Sequence, residues 1–283
     1  MDVSGMHDRE SYEAMQRHYL EEQGLHYDSI SFEDVLQHPK WFVAHNESFD
    51  SFIQIVRTLK IRDASNKRKK NRGLFVAEGL MFPGKVPCIL KWYRGSAFTI
   101  EDEMGIYDKL SSLNIDPPLV VKHSNQYTLW GEPILVMSKM QTIQNHDHEF
   151  QIGIDILQAL KVIHQYLFHS DMKLANIAKY IYADGTSRYY LIDFGRSTIR
   201  EKGQRDYHDR FVHTKGHAKP ENYFRITARI ELEELIRELI IQHRERTGAE
   251  KGPKKLYRCL KYIRKLGHYP ESQAYDDLIG MLS

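Results

Sequence analysis

Around Met140 the spacing of apolar residues changes, and that change limits what the chain can fold into. Before it, FIQIVRTL, GLFVAEGL and VPCILKWY are short runs rich in β-branched and aromatic residues. A polar loop separates the first two and MFPGK the last two, which predicts an antiparallel sheet. Thr99 opens a helix, because T99-I-E-D102 has capping-box spacing and Ile106, Tyr107, Leu110 and Leu113 follow at helical period. LVVKH and PILVMSKM add two strand candidates. After Met140 the period is helical in EFQIGIDILQALKVIHQYL, RIELEELIRELIIQHRER, KKLYRCLKYIRKL and AYDDLIGML. A sheet with one helix, then a helical half, predicts an α+β protein of two lobes, 51–140 and 141–283. Residues 1–50 read as a helical extension: Tyr12, Met15 and Tyr19 share a face, Gly24 can cap it, and S31-F-E-D34 opens a second short helix.

Composition narrows the function classes. The 283 residues carry 40 Lys+Arg against 38 Asp+Glu, and a net charge of +2 gives no general affinity for nucleic acid. No apolar run reaches the roughly 18 residues a membrane span requires, and the charged start MDVSGMHDRESYE is unlike a signal peptide. Cys88 and Cys259 sit in no metal-type spacing and suit a reducing compartment, so an intracellular location, cytoplasmic or nuclear, is expected.

The chemistry concentrates in H169-S-D-M-K-L-A-N176 and Y189-Y-L-I-D-F-G195. A carboxylate with a Lys two residues on and an Asn five residues on, then an Asp after an apolar strand, is what metal-assisted phosphoryl transfer requires. Asp171 can orient a hydroxyl and accept its proton, Lys173 can neutralise the transferred phosphoryl, and Asn176 with Asp193 can hold Mg²⁺. Here the chain resembles the protein kinase superfamily over about residues 51–283, matching its HRDxKxxN and DFG motifs except at Ser170, where most members have Arg.

The resemblance implies a bilobal protein-kinase-like fold, with a small antiparallel β-sheet lobe and one helix followed by a mainly helical lobe, using ATP and Mg²⁺. C88-I-L-K91 places Lys91 as the residue that grips the α- and β-phosphates. Its partner is expected to be Glu103, which shares the apolar face of Ile106, Tyr107 and Leu110, whereas Glu101 falls on the solvated side. Val76, Ile89 and Ala178 fall at adenine-contacting positions, Met137 at the gatekeeper, and Ser138 to Met140 at the hinge. Ile89 is bulkier and Ala178 smaller than the family's usual residues, so the two are expected to compensate in volume. T214-K-G-H-A-K-P-E221 resembles the end of an activation segment and, with Lys173, implies serine/threonine specificity. I134-L-V-M137 and R229-I-E-L-E-E-L235 are similar to the casein kinase one and vaccinia-related kinase groups, with Glu231 where an anchoring Asp is usual.

The glycine-rich phosphate loop is missing: no glycine occurs from Ser51 to Arg72, and K60-I-R-D-A-S-N-K-R-K-K-N-R72 stands in its place. That stretch reads as a solvated loop, a nuclear-localisation patch or a basic lid on the phosphates. Lys251 to Lys265 reads as an amphipathic surface helix before it reads as a site for an acidic partner or nucleic acid. His146 and His148 around Asp147 lack a fourth ligand for a metal. The expected activity is that of a serine/threonine protein kinase acting on a protein substrate, with nucleic acid open only through the basic segments and no membrane partner. The alternatives are a pseudokinase acting as a binding module and a small-molecule phosphotransferase of kinase-like fold.

Overall fold

Strand alternation in the first part of the chain buries one face of every strand, and the barrel that results is closed. The structure is a computed structural model that describes residues 9–24, 26, 38, 42–46, 48, 51–62, 74–93, 100–129, 132–199 and 227–283. Contacts divide it into two units, residues 1–108 with 121–139 and residues 109–120 with 140–283.

The first unit holds helix α1 (Arg9–Glu22), strands β1 (Val43–Asn46), β2 (Phe52–Arg62), β3 (Leu74–Phe82) and β4 (Val86–Tyr93), helix α2 (Ile100–Ser112) as far as Asp108, and strands β5 (His123–Leu129) and β6 (Glu132–Ser138). The strands run in the order β1-β2-β3-β4-β6-β5, and β5 pairs back to β1. The expected small antiparallel sheet is therefore a closed six-stranded barrel. Two readings explain the difference. β1 lies within residues 1–50, where only helix was expected, and its four residues are too short and mixed to announce a strand. LVVKH is not a strand before His123, from which β5 continues to Leu129. The short helix expected after Ser31 lies outside the described residues.

Phe75 and Ala77 of β3, Cys88, Leu90 and Trp92 of β4, and Ile134 and Val136 of β6 point inward, and Leu20 of α1 and Phe42 join them. Packing is tight enough to demand a glycine. A Cβ on Gly79 would lie 2.5 Å from Ile53 Cγ2 and 2.6 Å from Leu90 Cδ1.

The second unit contains the short strands β7 (Gln141–Thr142), β8 (Leu167–Phe168) and β11 (Thr198–Ile199), the hairpin β9 (Ile177–Ile181)–β10 (Ser187–Leu191), and helices α3 (Glu149–Ile163), α4 (Ala228–Thr247), α5 (Lys254–Ile263) and α6 (Ser272–Leu282). The helices follow the expected apolar stripes, since Ile152, Ile156, Leu160, Leu232, Leu235, Leu239, Leu256 and Leu278 are all buried. Thr227 caps α4, its Oγ1 accepting from Ile230 N–H, and Gly248 ends the helix at φ 69°. Charge also ties the helices together. Glu149, buried at the start of α3, accepts from Arg246 at 2.8 Å and faces His243 Nδ1 at 2.6 Å, both on α4. No helix among the described residues is long and apolar enough to cross a membrane.

Candidate active site

Alternation in the barrel places a second set of side chains on its outer face. Because Cys88, Leu90 and Trp92 point inward, Ile89 and Lys91 of β4 point the other way. Val76 is the cross-strand partner of Lys91, and Met137 of Ile89, so Val76, Ile89, Lys91 and Met137 form one patch. Lys91 and Glu103 are both buried, and Lys91 Nζ meets Glu103 Oε1 at 2.8 Å and Oε2 at 2.7 Å. Glu101, two residues earlier on α2, is exposed, as the helical phase requires. Two buried charges are tolerated together because each satisfies the other. Ser138 donates its backbone N–H to Lys122 O, which fixes the end of β6. Beside it Glu78 accepts from Arg57 at 2.8 Å and contacts Lys139 at 3.2 Å. The Arg57 hydrogen bond is the main reason the Glu78 carboxyl lies below its ordinary range.

In the second unit, β8 pairs with β11 and so brings the segments after Phe168 and before Thr198 side by side. His169 Nε2 donates to Ile192 O at 2.9 Å, Ile192 N–H donates to Asn176 O at 2.9 Å, and the His169 and Phe194 rings lie 5.0 Å apart. These bonds fix the backbone immediately before Asp193 against Asn176. Asp193 itself has φ 66° and ψ 60°, and Ser170 has φ 65°. Left-handed conformations of non-glycine residues cost about 1–3 kcal/mol each and persist where surrounding bonds impose them. For Ser170 the imposing bond is visible: its N–H donates to Glu231 Oε1.

Asp171 lies at the centre of this loop. Lys173 Nζ and Asn176 Nδ2 both donate to its Oδ2, and Arg196 approaches its Oδ1 at 3.5 Å. Burial pushes the Asp171 carboxyl up, but the Lys173 hydrogen bond and charge, the Arg196 charge and Asn176 together hold it below its ordinary value. Beneath the loop lies Glu231, wholly buried on α4. Besides Ser170 it accepts from His169 N–H at 3.2 Å and from His164 Nε2 at 2.8 Å, and the other nitrogen of His164 meets the Tyr275 hydroxyl of α6 at 2.6 Å. Glu238 Oε2 accepts from Leu174 N–H at 2.8 Å. Two carboxylates of α4 thus hold the backbone around Asp171.

Of the residues singled out from sequence, Val76, Ile89, Lys91, Glu103, Met137 and Ser138 belong to the first unit, and Met140, Asp171, Lys173, Asn176, Ala178 and Asp193 to the second. Ala178 is buried on β9, opposite Tyr190 on one side and Thr142 on the other. Thr214, Glu221 and the basic stretch beyond Arg62 lie outside the described residues. Sequence reasoning missed Arg196, His164, Glu238 and Tyr275. The position of Arg196 directly after the DFG motif was an available signal, whereas nothing in the spacing marks the other three. Of His146, Asp147 and His148, the last two serve the structure, while His146 is exposed. Asp147 is buried and accepts from Lys179 Nζ and the Tyr189 hydroxyl, each at 2.8 Å, while His148 caps α3. Cys88 is inside the barrel, where burial pushes its thiol up to about 12.

Asn176 and Asp193 offer hard oxygen donors. Asn176 Nδ2 is committed to Asp171, donating to its backbone oxygen at 2.8 Å and to Oδ2 at 3.0 Å, so of this side chain only Oδ1 could serve a metal. Two such donors completed by phosphate oxygens and water are what Mg²⁺ accepts. Among the described residues no group of three or more His, Cys, Asp or Glu is arranged around a metal.

Solved structures share this architecture. The chain is similar to the crystal structure of the BubR1 kinase domain, with a TM-score of 0.56 over 84% of this chain and 81% of that one, at 14% identity. Likeness at that identity shows the fold alone, which is protein-kinase-like. No family profile and no curated protein matches the sequence.

Proposed function

We propose that the chain is an ATP- and Mg²⁺-dependent serine/threonine protein kinase. The observation that carries this reading is the environment of Asp171: a carboxylate held ionised, aimed by Asn176 and flanked by Lys173, on a loop whose backbone Glu231 and Glu238 fix. Asp171 orients the acceptor hydroxyl and takes its proton as the oxygen bonds to the γ-phosphorus and the bond to the β-phosphate oxygen breaks. Lys173 balances charge on the phosphoryl oxygens. Lys91, aligned by Glu103, holds the α- and β-phosphates, and the outer-face patch of Val76, Ile89 and Met137 offers the adenine an apolar wall. Asn176 and Asp193 would hold Mg²⁺, which when bound neutralises phosphate charge. Lys173 and the T214…E221 segment favour a serine or threonine acceptor over tyrosine.

One observation favours a second reading, a pseudokinase that binds partners without transfer: no glycine lies between Ser51 and Arg72 to let backbone N–H groups reach the phosphates. Transfer from labelled ATP to mixed protein substrates separates the two. Wild type should transfer, Asp171→Asn should lose about 10²–10⁴-fold of the rate with nucleotide affinity kept, and Asp193→Ala should lose affinity for Mg·ATP. Absence of transfer by wild type, or full activity in both variants, overturns the kinase reading.

A further inference from the structure

Between Lys251 and Lys265 the chain carries seven Lys or Arg and no acid. The structure makes Lys254–Ile263 helix α5, with Leu256, Cys259, Leu260 and Ile263 buried and its cations outside. As a helix it is built against its own stability. Pro253 gives it no side-chain cap, and Lys254 and Lys255 occupy the end where the helix dipole favours acids. Arg258 follows Lys254 by four residues and Lys261 follows Arg258 by three, so like charges face one another along the surface. Local choices that oppose the fold mark places where something else is served.

What the cations line is a groove. Arg237 of α4, Tyr257, Leu260 and Lys261 of α5, and Arg264 and Lys265 just after it enclose an open hollow of about 590 Å³. Tyr257 is 45% exposed beside the almost wholly buried Leu260, so the groove has an aromatic wall and an apolar floor. Two of its four cations share one carboxylate. Glu233 Oε1 accepts from Arg237 at 2.6 Å and from Arg264 at 3.3 Å. The protein's own carboxylate thus shows which group these guanidiniums take, and Lys261 and Lys265 make no ion pair among the described residues.

We propose that this groove docks an acidic, extended segment of a partner protein. From Tyr257 to Ile263 the helix rises about 9 Å, the reach of roughly three extended residues. The occupant is therefore a short run of Asp or Glu carrying one apolar side chain, which lies on Leu260 and against Tyr257. A single-stranded nucleic acid fits less well. It needs a succession of aromatic faces for its bases, and the groove offers only Tyr257 and an apolar floor that a phosphate backbone cannot use. The inference does not depend on phosphoryl transfer, because docking is read as binding alone.

The test is fluorescence polarisation of the full chain with three labelled probes: a peptide of glutamates around one leucine, the same peptide with every glutamate replaced by glutamine, and an oligothymidylate. The glutamate peptide should bind at least about tenfold more tightly than its glutamine counterpart, and more weakly as salt rises. The double variant Lys261→Glu, Lys265→Glu should weaken it by about tenfold or more, since each reversal removes an attraction and adds a repulsion. Tyr257→Ala leaves every charge in place and should weaken binding severalfold, which keeps the test decisive if the double variant melts unlike wild type. Equal affinity for the two peptides, wild-type binding by both variants, or tighter binding of the oligothymidylate would overturn the proposal.

Discussion

Replacing Glu231 by Gln preserves shape and removes one charge beneath the Asp171 loop. Glu231 Oε1 accepts from Ser170 N–H, and Oε2 from His169 N–H and His164 Nε2. All three partners aim hydrogens at the carboxylate, so an amide nitrogen in either position must face a backbone N–H. One buried donor is then left unsatisfied, at about 1–3 kcal/mol, and the remaining bonds pass from charge-assisted to neutral, at about 1 kcal/mol each. The sum, about 3–5 kcal/mol, matches the cost of breaking a buried charged pair. In a chain of this size it should lower the melting temperature by roughly 10 °C. Urea unfolding should show a lower midpoint with the slope unchanged. The pH dependence gives an independent check. Burial raises the Glu231 carboxyl, but His164, His169 and the Ser170 N–H outweigh it and leave it below its ordinary value of 4.5. A lowered carboxyl contributes stability that is present above that value and lost as pH falls through the folded one. The gap between wild type and Glu231→Gln should therefore be full at neutral pH and close in acid. A neutral-pH difference under about 1 kcal/mol, or a gap that persists in acid, would refute the reasoning.

Two further outcomes follow from neighbouring features. Burial, with the charges of Glu231, Asp171 and Glu238, pushes the Glu234 carboxyl up to about 7 from 4.5. Its contribution to stability is thus present below pH 4.5 and lost as pH rises through 7, so Glu234→Gln should flatten the fall in wild-type melting temperature across that window. Gly79→Ala should cost about 1–3 kcal/mol of stability in urea titration, because the added methyl meets Ile53 and Leu90 inside the barrel.

The parts of the site that were legible in the sequence are those where one short-range rule decides. Helical phase alone separates Glu103 from Glu101, and strand alternation puts Lys91 opposite Cys88 and Leu90. What was not legible depends on partners distant in the chain. Asp155 on α3 looks like any polar helix residue, yet it is buried and accepts Tyr189 N–H of β10 at 2.9 Å. Strand β9, IAKYI, has little alternation of its own and exists because β7 and β10 pair with its two edges. Within ELEEL the resemblance singles out Glu231, but only packing shows that Glu233, two residues on, faces Arg237 and Arg264.

Barrel closure has a consequence for how the chain acquires its structure. β2, β3 and β4 are joined as successive hairpins and can pair locally, but β1 reaches its second neighbour only when His45 meets Thr128 and Asn46 meets Tyr127. These partners lie roughly eighty residues apart, so their pairing waits on the closure of a long loop. Until β5 and β6 arrive, β1 and β4 each offer a bare strand edge to any other nascent chain. The arrival of the β5–β6 hairpin covers both edges in one event, and synthesis past Ser138 marks the point at which that exposure can end.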